Sequence, residues 1–312
     1  MQTHRTLVDW ALFAFLSLLW ASAYGFTRLA VSQSVPEQGF PPELIIPARL
    51  FIGAVLLLIA AWLSKQSWPP LRDYKSWLAM TIMGISGTTL PFWLITTAQQ
   101  TVDSSLAALY VAAAPLFVAS MAHFLFADDR LTIGKTLGIL VGFVGVAVLF
   151  GPSVLSAFKS ASAVAQGLCL FATLFYAVST ITARYARDIP PFIFAAGFVS
   201  IGSVLAFPLL LYVDFDALSP SPSAIVGLVG LGIAPTALAS FLYVALVKRT
   251  SATFLSLTGY TIPIISALIG YLAFAEVQSW NAVIAFALIL LGVWLARNSG
   301  KSVKEKTAPQ SL

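Results

Sequence analysis

Ten apolar blocks of about twenty residues each, joined by short polar connections, constrain this chain more than any other feature. A bilayer core about 30 Å thick takes roughly 20 helical residues to cross, so blocks of this length read as membrane-spanning helices. They lie near residues 8–30, 43–63, 74–98, 103–126, 131–150, 163–185, 191–212, 222–247, 251–274 and 279–297. Hydrophobic residues make up 59% of the chain and charged residues 9%, with a mean hydropathy of +0.92. A soluble domain of that make-up would aggregate, so the solvent is lipid. The first block follows Arg5 but is long and leads into further spans, so it reads as a retained helix rather than a signal peptide. Residues 299–312, with Lys301, Lys304 and Lys306 among Ser, Thr, Pro and Gln, read as a disordered tail.

The connections alternate in charge. Arg5, then Lys65, Arg72 and Lys75, then Arg130 and Lys135, Arg184 and Arg187, Lys248 and Arg249, and Arg297 with the tail lysines fall on one side. By the positive-inside rule that side is cytoplasmic, and both termini are expected there. The net charge of +5 therefore serves topology: no basic patch interleaved with aromatics points to nucleic acid. The single cysteine, Cys169, leaves no partner for an intramolecular disulfide or a CxxC site.

The chain also repeats itself. Gly84-Ile85 with Thr88 and Leu90 realigns without a gap on Gly232-Ile233 with Thr236 and Leu238, and at the same offset Pro115 falls on Pro263 and Asp128 on Glu276. Upstream, Trp20-Ala21 and Arg28 match Tyr176-Ala177 and Arg184. The expectation is an all-α integral membrane protein of two five-helix halves, residues 1–150 and 151–298, ahead of the tail at 299–312. An odd number of spans per half inverts the second copy, the arrangement of alternating-access carriers. Arg28 is then placed near the outside and Arg184 near the inside.

Those residues resemble the EamA-type ten-helix transporters of the drug/metabolite transporter superfamily. The resemblance rests on Trp20-Ala21-Ser22, Arg49-Leu50, Ala98 followed by Asp103 to Leu109, Pro115-Leu116-Phe117, Phe126-Ala127-Asp128 with Arg130-Leu131-Thr132, and Gly145-Val146. In the second half it rests on Thr250-Ser251-Ala252, Pro263, Phe274-Ala275-Glu276 and Gly292-Val293. The chain departs from the usual Leu-Gly-Glu-Arg-Leu run: Ala127-Asp128 stands for Gly-Glu with Asp129 inserted, and Ala275 stands for glycine in the second copy. The resemblance implies export of small metabolites, commonly amino acids, through a central cavity in a bacterial inner membrane.

The residues suit such a cavity. Trp20, Tyr24, Trp93, Tyr110, Tyr176, Tyr243 and Tyr260 bring amphipathic rings, and Ser22, Ser105, Ser179, Thr180 and Thr258 add hydroxyls, a lining for a substrate with an apolar body and polar ends. The competing reading is interfacial aromatic belts and hydroxyls bonded to their own helix. Pro115 and Pro263 stand at equivalent points of the two halves and are candidate hinges, the alternative being static bends; Pro91 and Pro235, less regularly offset, rank below them. Arg49 is an intramembrane cation whose burial must be repaid, by a substrate carboxylate, a gating ion pair, snorkelling, or pairing with Glu43 or Asp103. His123 can titrate near neutral pH or simply pack. Gly134, Gly138 and Gly142 form a stripe for close helix packing, with a dimer face as the lesser alternative, so a monomer or weak homodimer is expected.

No carboxylate stands in mid-span, so no dedicated proton or sodium site is visible and a uniporter is favoured. A phosphate loop is absent, which excludes ATP drive within the chain. With His4 and His123 the only histidines and neither HExxH nor GxSxG, an enzyme is not expected, nor is a cofactor or metal. The expected partners are a small-molecule substrate and membrane lipid. Drug, sugar or nucleoside transport on the same fold is the alternative, and a channel a more distant one, since no filter or charged ring is legible.

Overall fold

Helix caps and prolines set where the apolar blocks begin. In the computed structural model, which describes residues 6–32, 35–125, 133–150, 161–186, 188–249 and 258–306, Thr6 and Asp9 close a reciprocal capping box on α1 (Leu7–Val31). Pro42 opens α2 (Pro42–Leu63) and Pro191 opens α9 (Pro191–Ala206), each in the first turn, where a missing N–H has no helical partner to lose. The remaining helices are α3 (Tyr74–Gly84), α4 (Leu90–Ala98), α5 (Ser104–Val111), α6 (Ala114–Leu125), α7 (Ile133–Phe150), α8 (Ala161–Tyr185), α10 (Pro222–Leu231), α11 (Ala239–Arg249), α12 (Thr258–Phe274) and α13 (Trp280–Lys306). There is no strand among the described residues.

Seven helical stretches are long and apolar enough to cross a membrane: Leu7–Val31, Pro42–Leu63, Tyr74–Ala98, Ser104–Leu125, Ala163–Ala183, Pro191–Tyr212 and Pro222–Tyr243. Three shorter apolar helices, Thr136–Val148, Thr261–Phe274 and Trp280–Gly292, lie at the other three blocks. Phe124, Trp62, Leu211 and Trp280 are largely exposed, as side chains facing lipid are. The last helix continues to Lys306, past residue 299, because Lys-Ser-Val-Lys-Glu-Lys contains little that stops a helix. Asp128, Arg130 and residues 250–257, where the block at 251–274 begins, lie outside the described residues.

Two spans share an irregularity at the positions the repeat brings together. A π-helical segment, Ile85–Thr89, joins α3 to α4, and another, Gly232–Leu238, joins α10 to α11. In each the following amide reaches back five residues: Leu90 N–H donates to the Ile85 carbonyl and Ala239 N–H to the Ala234 carbonyl. Proline is the local cause in the second. Pro235 has no N–H for the Leu231 carbonyl, and the Thr236 hydroxyl donates to that oxygen instead, at 2.8 Å. Pro115 and Pro263 behave differently from one another. The first follows a break at Ala112–Ala113 between α5 and α6, whereas Pro263 sits buried within an unbroken α12.

Small residues let the spans cross closely. A Cβ on Gly292 of α13 would collide with the Gly138 carbonyl and the Gly142 backbone of α7, and one on Gly145 would come 2.9 Å from the Ala285 carbonyl. Gly138 and Gly142 of the glycine stripe thus meet α13 within the same chain. On the other side, Ile45, Ile46, Leu50, Ala54 and Leu57 of α2 are buried against Ile193, Ala196 and Val199 of α9.

The crossing predicts a contrast. Gly292→Val is expected to destabilise the detergent-solubilised protein by about 1–3 kcal/mol through overpacking, whereas Gly167→Val, where an added Cβ meets nothing within 4 Å, leaves the unfolding midpoint nearly unchanged in the same thermal scan.

Candidate functional site: a buried cation and a capped helix

Arg49 lies about two turns past the start of α2 and is 5% exposed. Its Nε donates to Thr236 Oγ1 at 2.9 Å, and its guanidinium carbon stands 3.6 Å from the centre of the Phe92 ring. The oxygen it meets is the one that Pro235 turns toward the Leu231 carbonyl, so the π segment of the second half holds the cation of the first. Gly53, one turn along α2, makes room for this: a Cβ there would collide with the Thr236 methyl group. The Tyr24 and Tyr176 phenols are within electrostatic range of the guanidinium. Neither Glu43 nor Asp103 pairs with it, and among the described residues Arg49 forms no ion pair.

A second constellation closes the end of the bundle expected to face outside. Arg28, in the last turn of α1, pairs with Asp103 at 2.9 Å and with Glu276, whose side chain is 1% exposed. The Glu276 carboxylate sits on the N-terminus of α5: it accepts the Ser104 and Ser105 amides, each at 3.0 Å, and both hydroxyls, that of Ser104 at 2.8 Å. Asp103 occupies the N-cap position but makes no capping bond, so a residue from a distant connection does that work. Gln278 adds a bond to Ser105 Oγ at 2.5 Å. Gly270 is required here, since a Cβ would collide with Glu276 Oε2. Ala275 adopts φ 53°, the left-handed turn that brings Glu276 back toward Gly270 and for which glycine is the ordinary residue. Burial pushes the Glu276 pKa up, but the bonds from Ser105 and Ser104 outweigh it and hold the carboxyl below the usual range.

The other sequence candidates distribute as follows. The Trp20 and Tyr243 rings pack at 5.7 Å, joining α1 to α11. Tyr24 is buried and its carbonyl accepts from Gln99 Nε2 at 2.8 Å. Trp93 is half-buried, and its Nε1 is buried without a partner among the described residues. Tyr110 donates to Gln166 Oε1 at 2.6 Å. The Ser22, Ser179 and Thr180 hydroxyls bond back to carbonyls of their own helices, and Ser105 belongs to the Glu276 cap. Thr258 is buried at the start of α12; the side chains of Tyr260 and Pro115 lie outside the described residues. His123 packs its ring 4.9 Å from Phe124 near the end of α6. Arg49, Tyr24 and Tyr176 are therefore brought together, while Tyr110, Ser105 and His123 stand apart from them. Thr236, Phe92 and Glu276 were not among the candidates. The repeat match of Thr236 to Thr88 and of Glu276 to Asp128 was the available signal. The described residues thus form two polar loci, a buried cation among α1, α2, α4, α8 and the second π segment, and an ion-paired cap at the N-terminus of α5.

The EamA-like transporter family matches the chain twice, over residues 9–151 and 164–297. The chain belongs to that family. It is accordingly a multi-pass membrane transporter of the drug/metabolite transporter superfamily, with a small-molecule substrate and a lipid environment. It is 26% identical to the uncharacterized transporter YdfC of Bacillus subtilis (strain 168), across 88% of this chain and 86% of that protein. It is 25% identical to the uncharacterized inner membrane transporter YedA of Escherichia coli K12, across 90% and 89%. A probable terminal-alkyne amino-acid exporter of Streptantibioticus cattleyicolor is 25% identical across 92% of both chains. A solved structure titled only as that of a protein superposes over 96% of this chain and all of that one, with a TM-score of 0.63 at 22% identity, which shows the shared fold.

Three outcomes test the capped end. Glu276→Gln is expected to speed hydrogen exchange of the Ser104 and Ser105 amides by tenfold or more after correction for intrinsic rates. In the unmutated protein, because the folded pKa is depressed, the cap is intact at neutral pH and is lost as pH falls through that depressed value, in an acid window below the usual glutamate range. Ala275→Gly relieves a left-handed alanine and is expected to stabilise by up to about 1 kcal/mol in thermal unfolding.

Proposed function

We propose that this EamA-family chain is a secondary carrier that exports amino acids or similar small amphipathic metabolites by alternating access. The observation that carries the reading is Arg49, a cation buried between α2, α4 and the second π segment with no carboxylate among the described residues to neutralise it. An isolated intramembrane cation costs about 2.5–3.5 kcal/mol on the milder insertion scale, and a hydroxyl and a ring face repay only part of that. A substrate carboxylate repays the rest, and only while it is bound.

In this reading the chain spans the bacterial inner membrane ten times as two inverted five-helix halves, with both termini in the cytoplasm and the protein working as a monomer or weak homodimer. Support comes from the family's two successive matches, the three shorter apolar helices at the remaining blocks, and the paired π segments. Tyr24 and Tyr176, beside Arg49, form the substrate wall with Trp93, Trp20 and Tyr243. The Arg28–Glu276–α5 closure is the outer gate, and the π segments are the flexible points, since a π turn converts to α by shifting one hydrogen-bond register. Pro115 and Pro263, in the spans that follow those of the π segments, are the further candidate hinges. Every described Asp and Glu lies at a helix end or in a connection, so translocation proceeds as uniport. The amino-acid substrate draws on the Streptantibioticus cattleyicolor relative's name.

Purified protein in liposomes, offered a labelled panel of aromatic, branched and small neutral amino acids, is expected to show saturable uptake that accelerates with unlabelled substrate inside and is indifferent to a pH gradient. Arg49→Gln is expected to lower that flux at least tenfold. Flux that rises linearly with concentration without counterflow contradicts a carrier.

A further inference from the structure

We infer that the Arg49 site selects small carboxylates of net charge −1 over zwitterions and cations of the same shape. The inference rests on the carrier reading above and names the substrate charge that its binding site accepts.

Three features of the guanidinium's surroundings carry it. First, Nε is committed to Thr236, and no acceptor among the described residues takes a hydrogen bond from Nη1 or Nη2, so two donors of a planar fork remain for a ligand. That fork matches a carboxylate edge. Second, the guanidinium carbon stands 3.6 Å from the centre of the Phe92 ring, whose π face stabilises the cation without taking up either Nη donor. Third, the neighbouring polar groups are mainly donors. The Tyr24 and Tyr176 phenols carry O–H groups, and Trp93, which with Phe92 borders the Ile45–Ile46–Leu50 cluster beside Arg49, has a buried indole N–H without a partner. An anion satisfies such groups. A substrate ammonium finds no free carboxylate here among the described residues, because Glu276 is committed to Arg28, Ser104 and Ser105, and Asp103 to Arg28. In an α-amino acid the ammonium is also tied by covalent geometry within a few ångströms of the carboxylate, and so is held beside the guanidinium that repels it.

Net charge on the substrate also supplies the driving force that a chain without an ion-coupling carboxylate needs. One negative charge leaving a cell with an inside-negative potential of 100 mV is driven by the equivalent of a roughly fifty-fold concentration ratio. A zwitterion gains nothing from that field.

The test uses matched triples built on aromatic, branched and small bodies: the N-acetyl amino acid (anion), the free amino acid (zwitterion) and the amino-acid amide (cation). For the aromatic body these are N-acetyl-L-phenylalanine, L-phenylalanine and L-phenylalanine amide. Affinities are read by calorimetry on the purified full-length protein, and fluxes in liposomes under a potassium-valinomycin potential, with protein-free liposomes subtracted. The expected result is that the anion of at least one triple binds tenfold or more tightly than its zwitterion, that the amide does not bind, and that anion efflux rises with an inside-negative potential. Arg49→Lys, which keeps the charge but loses the fork, is expected to retain the preference at weaker affinity, and Arg49→Gln to abolish it. Equal or tighter binding of zwitterions in every triple, or anion flux indifferent to potential, overturns the charge selectivity while leaving a carrier. Absence of binding and flux across all triples overturns both readings.

Discussion

One cation without a carboxylate organises the interior of this protein. In lipid every buried polar group must be satisfied within the chain or by a ligand. Arg49 is met by a hydroxyl, a ring face and two nearby phenols rather than by a counter-ion. The hydroxyl is itself placed by a defect, since Thr236 stands in for the N–H that Pro235 lacks. A charge in the first half thus leans on an irregularity in the second, and the two halves meet through a polar contact in a largely apolar interior. Any ligand that draws the guanidinium away from Thr236 acts directly on the π segment, the least regular stretch of that span.

The halves are mechanically alike and chemically different. Gly53 of α2 abuts Thr236, and Gly202 of α9 abuts Thr88, so each π segment is packed against a glycine of the opposite half. One turn before Gly53 stands Arg49, while one turn before Gly202 stands Phe198. The same packing thus sets a charged side chain beside the second π segment and an apolar one beside the first. At the capped end Glu276 plays a similar connecting part, capping α5 from the turn after α12 and gathering Arg28, so that α1, α5 and the α12–α13 turn meet at one carboxylate.

Hydropathy alone located the seven helices long and apolar enough to cross a bilayer, because an apolar block near twenty residues long has few alternatives to crossing one; shorter apolar helices lie at the other three blocks. The π segments themselves were not expected from the sequence, but they form where the internal repeat aligns Gly84 and Thr88 with Gly232 and Thr236. The sequence reading nevertheless ranked Pro235 below Pro115 and Pro263, and it is Pro235 whose lost hydrogen bond orients the partner of Arg49. The partners of Arg49 were not legible, because helix rotation is not fixed by periodicity when nearly every position of a span is apolar. Ser105 shows the same limit: a hydroxyl near a helix start is equally suited to a substrate or to a carboxylate arriving from a connection 171 residues away. Ala275 was noted as an unusual substitution for glycine, and its left-handed backbone gives the reason glycine is usual.

The coupling of the buried cation to the capped end is tested most directly by distance. In a Cys169→Ala background, spin labels at Thr101→Cys and Val277→Cys flank the Glu276 closure, and pulsed electron resonance in lipid nanodiscs reads their separation with and without saturating N-acetyl-L-phenylalanine. If occupation of Arg49 opens the gate, ligand adds a longer-distance population in otherwise unmutated protein and none in Arg49→Gln. A distance distribution that ligand leaves unchanged, or changes equally in Arg49→Gln, contradicts the coupling.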